Sequence, residues 1–262
     1  MTSERPKRVT ELASVILAPN PGPMTLDGTN SYLLSGPVSA SSIVVDPGPD
    51  DAGHLSALSN AGPVELILIT HRHHDHTEGA AELSRRTGAP VRAADPRFCI
   101  AADVLVDGEV IEAAGVVATV VGTPGHTEDS VCFLLPDDGA TGSVLTGDTI
   151  LGRGTTVIAP PDGSLGDYLN SLRVLSALGP RFVLPAHGPQ LPDLQQVAGR
   201  YLAHREQRLD QIRSALGVLG PDATIAAVTD LVYDVDASVR FAAEHSVAAQ
   251  LTFLRGDGLP PR

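Results

Sequence analysis

The sequence predicts an α/β fold of stacked β-sheets with helices outside them, followed by a smaller all-helical unit. From Ser14 to about Pro185, short β-rich runs alternate with Gly- and Pro-rich turns and a few helical stretches, the pattern of layered sheets. After Pro192 strand signals thin out and helical spacing takes over, with Leu202, Leu209, Ile212 and Leu216 along one face. A chain of 262 residues with 42% hydrophobic content is long enough to bury a substantial core. The expected division is an N-terminal segment 1–13, a sheet-bearing domain 14–192 and a helical domain 193–262.

The strands, in order, are "SVILA", "NSYLLS", "SIVVD", "VELILIT", "PVRAA", "VVATVVG", "SVCFLL", "SVLTGD" and "RFVLPA", each ended by Gly, Pro, Asp or His. Helices fit "DDAGHLSALSNA", "TEGAAELSRRTG" with Thr77 as N-cap, and "SLGDYLNSLRVLSALG" with Ser164 as N-cap and Gly179 as stop. Beyond residue 192, "DATIAAVTDLVYDV" and "ASVRFAAEHSVAAQLTFLRGDGL" continue the helical texture, and the last ends in a Gly-rich stretch that suits a small wing. Helix, helix, helix, hairpin is a winged-helix-like order.

The net charge of −13 excludes broad, non-specific attraction to nucleic acid or anionic membrane, although not a local basic groove. Apolar runs such as "VELILI" are too short to span a bilayer, and the first residues have no apolar centre resembling a signal peptide. No membrane partner and a cytoplasmic location are the expectations. Cys99 and Cys132 read as reduced packing residues.

The chemistry concentrates in "THRHHDHTEG", Thr70 to Gly79, at a strand end. His71, His73, Asp75 and His76 form an H-x-H-x-D-H array, and neutral imidazole with carboxylate is the ligand set zinc prefers. Three further ligand types sit in similar strand-edge turns: His126 in "TPGHTEDS", Asp148 in "LTGDT" and His187 in "LPAHG". By contrast, His54, His204 and His245 fall in helical stretches and read as structural or neutral.

In the order and spacing of these motifs over residues 14 to 188, the sequence resembles the metallo-β-lactamase superfamily. The resemblance implies an αββα sandwich holding two zinc ions, with manganese or iron as alternatives. It makes His71, His73 and His126 the ligands of one metal, Asp75, His76 and His187 those of the other, and Asp148 the bridging carboxylate. Asp46 in "VVDPGP" matches a residue that orients ligands instead of binding metal. His74 matches no ligand and, with Asn30 and Thr155, is a candidate substrate contact. "NPGPMTLDGTNSYLL", "GDTILGRGTTV" and "DYLNSLRVL" resemble the β-lactamase-like protein 2 branch, which carries a small winged-helix-type domain. Members of that branch are single-stranded RNA endonucleases, and fungal enzymes of similar build are thioesterases on acyl carrier proteins.

Such a site implies hydrolysis by a hydroxide bridging the two metals, with Asp75 as its hydrogen-bond acceptor and no nucleophilic serine or cysteine. The hydroxyls of "GTNS" and "GTTV", at Thr29, Ser31, Thr155 and Thr156, read mainly as turn hydrogen bonds. The same chemistry serves RNA phosphodiesters, acyl thioesters as in glyoxalase II-like or acyl-carrier enzymes, and β-lactams. The spacings of 21 residues between His126 and Asp148 and 38 between Asp148 and His187 leave no room for the inserted domain of processive ribonucleases. Arg200, Arg205, Arg208 and Arg213 favour RNA phosphates as partner. The nine acidic residues against seven arginines after residue 192, and an aromatic content of 3%, weigh for a thioester. A non-enzymatic protein with metal as a staple is the contrasting class, but structural sites are closed and four-coordinate, whereas seven mixed ligands leave positions open. Substrate, metal identity and oligomeric state stay open at this level.

Overall fold

The computed structural model describes residues 5–237 and 239–256. The first sheet runs β1 (Lys7–Arg8), β2 (Ala13–Leu17), β3 (Asn30–Leu34), β4 (Ser42–Val45), β5 (Val64–Leu68) and β6 (Val91–Arg92) in spatial order. The second contains β7 (Val110–Ala113), β8 (Val116–Gly122), β9 (Val131–Leu135), β10 (Ser143–Gly147) and β11 (Phe182–Pro185), also in chain order across the sheet. The pairs β4–β5, β5–β6 and β10–β11 are parallel and the others antiparallel.

Strand alternation sorts the apolar residues into layers. Ile43, Val45, Leu66 and Leu68 of the first sheet meet Val120, Val131, Phe133 and Leu145 of the second in a shared inner core. The intervening residues face outward. Val44 and Ile67 pack under helices α1 (Ala52–Asn60) and α3 (Ala80–Thr87) through Leu55, Leu58 and Leu83. Cys132, Val144 and Val183 pack under α4 (Leu165–Ala177). These are the four layers of the expected sandwich, the central strands each contributing to two of them. Ser164 caps α4 by accepting from the Asp167 amide, as its position suggested. Cys132 is a buried free thiol that burial pushes up to about 12, so it acts as packing.

Four elements escaped the sequence reading, one of them the 3₁₀ turn Pro96–Phe98. The N-terminal segment contributes β1, and its Thr10 hydroxyl and Leu12 amide both donate to the Asp138 carboxylate, tying it to the second sheet's turn. β7 turns into β8 through Ala114 and Gly115, both at positive φ (50° and 69°), the backbone a tight hairpin requires. A short helix α2 (His74–Thr77) precedes α3, so Thr77 is not the N-cap expected of it. Its hydroxyl instead donates to the His73 carbonyl, one turn back, and α3 begins after Gly79 with no side-chain cap.

Helix α5 (Leu194–Leu219) belongs to two cores. Its first half, with Leu194, Val197, Ala198 and Tyr201, completes the layer over α4. Its second half packs Ile212 and Ala215 against Val228 of α6 (Ile225–Val232) and Val247 and Leu251 of α7 (Arg240–Arg255). The helical unit is therefore continuous with the sandwich, joined by one rigid helix instead of a linker. The wing expected from the Gly-rich end lies outside the described residues. Among the described residues, no helix is long and apolar enough to cross a membrane.

Tyr201 is where α5 grips the loop after β10. Its hydroxyl donates to the Gly154 carbonyl at 2.8 Å and accepts from the Leu151 amide at 3.1 Å. Tyr201→Phe leaves that buried amide unpaired, and a loss of about 1–3 kcal/mol in unfolding free energy is expected, read as a lower urea midpoint at unchanged slope.

Candidate metal centre

The site forms where the carboxyl ends of the parallel pairs β4–β5 and β10–β11 meet. Asp46 follows β4, His71 follows β5, Asp148 follows β10 and His187 follows β11, while His126 comes from the turn between β8 and β9. The edge is closely packed. Gly147, at φ +50°, would bring a Cβ within 2.8 Å of the Thr70 side chain, so glycine there lets the two sheet edges touch.

Two groups of side chains converge. In the first, His73 Nδ1 lies 3.0 Å from both His71 Nε2 and His126 Nε2. In the second, His187 Nε2 lies 3.2 Å from Asp75 Oδ2, and His76 Nε2 lies 3.5 Å from the same oxygen. Asp148 faces both groups, with Oδ2 3.7 Å from His126 Nε2 and Oδ1 3.3 Å from His187 Nε2. The structure thus brings together all seven residues expected as ligands. His74 stands exposed beside them.

The outward ring nitrogens are committed elsewhere, which fixes the tautomers. His187 Nδ1 donates to the Gly28 carbonyl at 3.1 Å, and His126 Nδ1 to the Val157 carbonyl at 2.8 Å. His76 Nδ1 donates to Asp46 at 2.9 Å. Thr70 Oγ1 donates to Asp46 at 2.7 Å and accepts from His71 Nδ1 at 3.1 Å. Each of these imidazoles therefore aims an Nε2 lone pair inward, as orienting partners do at metal sites. Asp46 serves both groups, directly through His76 and through Thr70 to His71. It does so from a left-handed backbone (φ +51°), the one residue other than glycine among these supports held in such a conformation.

Electrostatics points the same way. Burial, then the neighbouring imidazoles, hold His71 well below the usual histidine range and His73 down at about 4, so these two imidazoles stay neutral and ligand-ready. In the second group, burial opposes charge but is outweighed. Asp46 and Asp75 raise His76, Asp148 and Asp75 raise His187, and the imidazoles hold Asp75 well below the carboxylate range. That pocket favours positive charge at its centre. His76 Nε2, His187 Nε2 and Asp148 Oδ1 are buried without any hydrogen-bond partner. Converging lone pairs and carboxylates with no donor among them are what divalent cations satisfy, so the donor set fits metal.

The "GTNS" stretch supports the site from beneath. After Gly28, Thr29 Oγ1 donates to the Asp75 carbonyl at 3.1 Å, and the Ser31 hydroxyl donates to the Asp46 carbonyl at 2.6 Å. Asn30, expected as a substrate contact, is buried, and its amide donates to the Pro185 and Gly188 carbonyls around His187. Its place is in the scaffold, because both amide protons are taken. Thr155 is half-buried against α5, and its neighbour Thr156 reaches the site, 2.9 Å from His126 Nδ1. Thr70 was missed as a site residue despite a local signal, a hydroxyl immediately before the first ligand, and Thr156 was read mainly as a turn hydrogen bond. Arg205, expected on a phosphate-binding face, is buried and donates to the Thr156 carbonyl at 2.5 Å.

Asp46→Asn replaces an acceptor-only group with one that also presents a donor to His76, and metal affinity is expected to fall about 10–100-fold in a chelator competition. His54, buried with Nε2 2.8 Å from the Ser31 hydroxyl, is pushed down to about 4 by desolvation. Its folded value lies below its unfolded one, so its stabilisation is present above about pH 6.5 and is lost as pH falls toward 4. Unfolding free energy is expected to drop by about 3 kcal/mol across that window from this group, a slope that His54→Gln removes relative to wild type.

The sequence model of the metallo-beta-lactamase superfamily matches residues 24–187. The lactamase-like protein adaB of Aspergillus niger is 34% identical over 80% of this chain and 65% of its own length. The atrochrysone carboxyl ACP thioesterase of Aspergillus fumigatus is 33% identical over 77% of this chain and 64% of its own. The chain thus spans just under two thirds of these relatives. Among solved structures, a beta-lactamase domain protein from Burkholderia ambifaria superposes with a TM-score of 0.78 at 19% identity, covering 98% of this chain and 93% of that one. A metallo-beta-lactamase family protein from Thermus thermophilus gives 0.76 at 23%, covering 94% of each. With the family model matching the segment that carries all seven converging side chains, the chain belongs to the metallo-beta-lactamase superfamily.

Proposed function

We propose that the protein is a hydrolase that uses two divalent metal ions, zinc in the first instance, to cleave acyl thioesters. The observation that carries the hydrolase reading is Asp148, whose two carboxylate oxygens face two different ligand groups. In this assignment His71, His73 and His126 hold one ion, Asp75, His76 and His187 the other, and Asp148 touches both. Metals held there would supply Lewis acidity toward a carbonyl oxygen and acidify a water molecule.

The chain's own residues do the rest. Asp75 keeps 13% of its side-chain surface open and Asp148 11%, so the carboxylates form the accessible side of an otherwise buried cluster. Asp75, held deprotonated, accepts a hydrogen bond from the attacking water. Water adds to the acyl carbon, the carbon–sulfur bond breaks, and acid and thiol leave. A thiol ionises near pH 8.5, so the thiolate departs near neutrality without a strong general acid.

The thioester class rests on the relative named as an acyl-carrier thioesterase and on the arginines of α5. An RNA-binding face would need them free and aligned. Arg205 is buried, Arg208 lies 4.7 Å over the Tyr233 ring and Arg213 pairs with Asp210, so Arg200 is the one of the four that is exposed with neither an aromatic nor an acidic partner among the described residues. Zinc-loaded protein is expected to hydrolyse an acyl N-acetylcysteamine thioester and to leave short single-stranded RNA intact. Asp75→Asn should lower thioester turnover at least about 100-fold, a loss of some 2.7 kcal/mol in transition-state stabilisation. RNA cleavage that Asp75→Asn abolishes, with no thioester turnover, would overturn the substrate class.

A further inference from the structure

A cavity of about 290 Å³ lies between the loop after β10 and the first half of α5. Arg153 and Thr155 of the loop and Arg200 and His204 of the helix line it, over a floor that includes Leu151, Leu191 and Val197. Three features set it apart in a chain of net charge −13. No carboxylate lines it, while two guanidinium groups and an imidazole do. Arg200 is exposed, with only a 3.5 Å contact to Gln196. His204 is half-buried and makes no side-chain hydrogen bond among the described residues. Arg153 is shared with Asp27 at the surface, which leaves Arg200 and His204 as the groups available to a ligand.

The loop also connects the cavity to the metal centre. It leaves that centre at Asp148, Gly152 donates to the His187 carbonyl at 2.9 Å, and it returns at Thr156 beside His126. Gly152 is so close to the His187 turn that a Cβ would lie 2.2 Å from the Pro189 carbonyl oxygen. A ligand in the cavity would therefore touch the loop that packs on the His187 turn.

We propose that the cavity binds the phosphate end of a 4′-phosphopantetheine arm, whose thiol carries the acyl group at its far end. The match is chemical. In that arm one methylene separates the phosphate ester from a carbon bearing two methyl groups, and the cavity sets a cationic wall beside a Leu and Val floor. An anion between Arg200 and His204 would make charge-assisted hydrogen bonds, each stronger than a neutral one. The inference rests on the thioester reading and specifies its substrate.

Calorimetric titration of the zinc-loaded protein with 4′-phosphopantetheine and with pantetheine, which lacks the phosphate, separates the two. Binding of the phosphorylated arm is expected to be about 10–100-fold tighter, and Arg200→Ala or His204→Ala should bring the two ligands to similar affinity. Arg200 is exposed, so its removal does not threaten folding. Coenzyme A and a holo acyl carrier protein present the same arm from different sources, and the Arg200→Ala loss must appear with at least one. Equal affinity of the two small ligands in wild type, or an Arg200→Ala effect seen only with a short single-stranded RNA, overturns the proposal. Phosphate-dependent binding without thioester turnover would support this site and count against the hydrolytic reading alone, so the two fail separately.

Discussion

The carboxylate of Asp46 is the constraint on which the centre depends. A buried anion is costly unless its lone pairs are filled, and Asp46 fills its own with the Thr70 amide, the Thr70 hydroxyl and His76. Those bonds orient one imidazole of the second group and, through Thr70, one of the first. They also hold the end of β4 against the end of β5, with the Asp46 amide donating to the Leu68 carbonyl at 2.9 Å. The left-handed backbone at Asp46 is the strain this arrangement carries, over-determined by its surroundings.

Around that anchor, support is spread over segments far apart in the chain. The stretch from Gly28 to Ser31 reaches His187, Asp75, the turn around His187 and Asp46 in succession. On the opposite side, α5 braces the loop between Asp148 and His126 through the Tyr201 hydroxyl and Arg205. The helical unit is thereby part of the machinery that orients His126. An arginine that reads as a free charge in the sequence is a buried strut, 5.1 Å over the Tyr168 ring, with its hydrogen bond spent on a backbone carbonyl.

Much of this was legible beforehand. The near-continuous apolar runs of β4, β5 and β9 mark strands buried on both faces, as the inner strands of a layered sandwich are, while which side chain faces which layer was left to the tertiary structure. Four histidines crowd into the six residues 71–76, and His126, Asp148 and His187 sit in turns at strand ends, so His71, His73, Asp75, His76, His126, Asp148 and His187 stood out by clustering and by position. β7 was missed because its exposed Val110 and Glu112 make half of a short strand look like loop. Thr77 was misjudged because a hydroxyl before a helical run caps only if its backbone is extended, and here it closes the preceding turn.

The sequence by itself determined the residue types, their attachment to strand ends and the layered pattern of burial, since each follows from local periodicity and side-chain chemistry. Tertiary structure alone decided which nitrogen of each histidine faces inward, that Asn30 and Arg205 hold loops in place, and that Arg200 and His204 share a cavity with the loop after β10. Those outcomes depend on hydrogen-bond partners up to about 160 residues away, such as Asn30 with Gly188, and no local pattern encodes a partner at that distance.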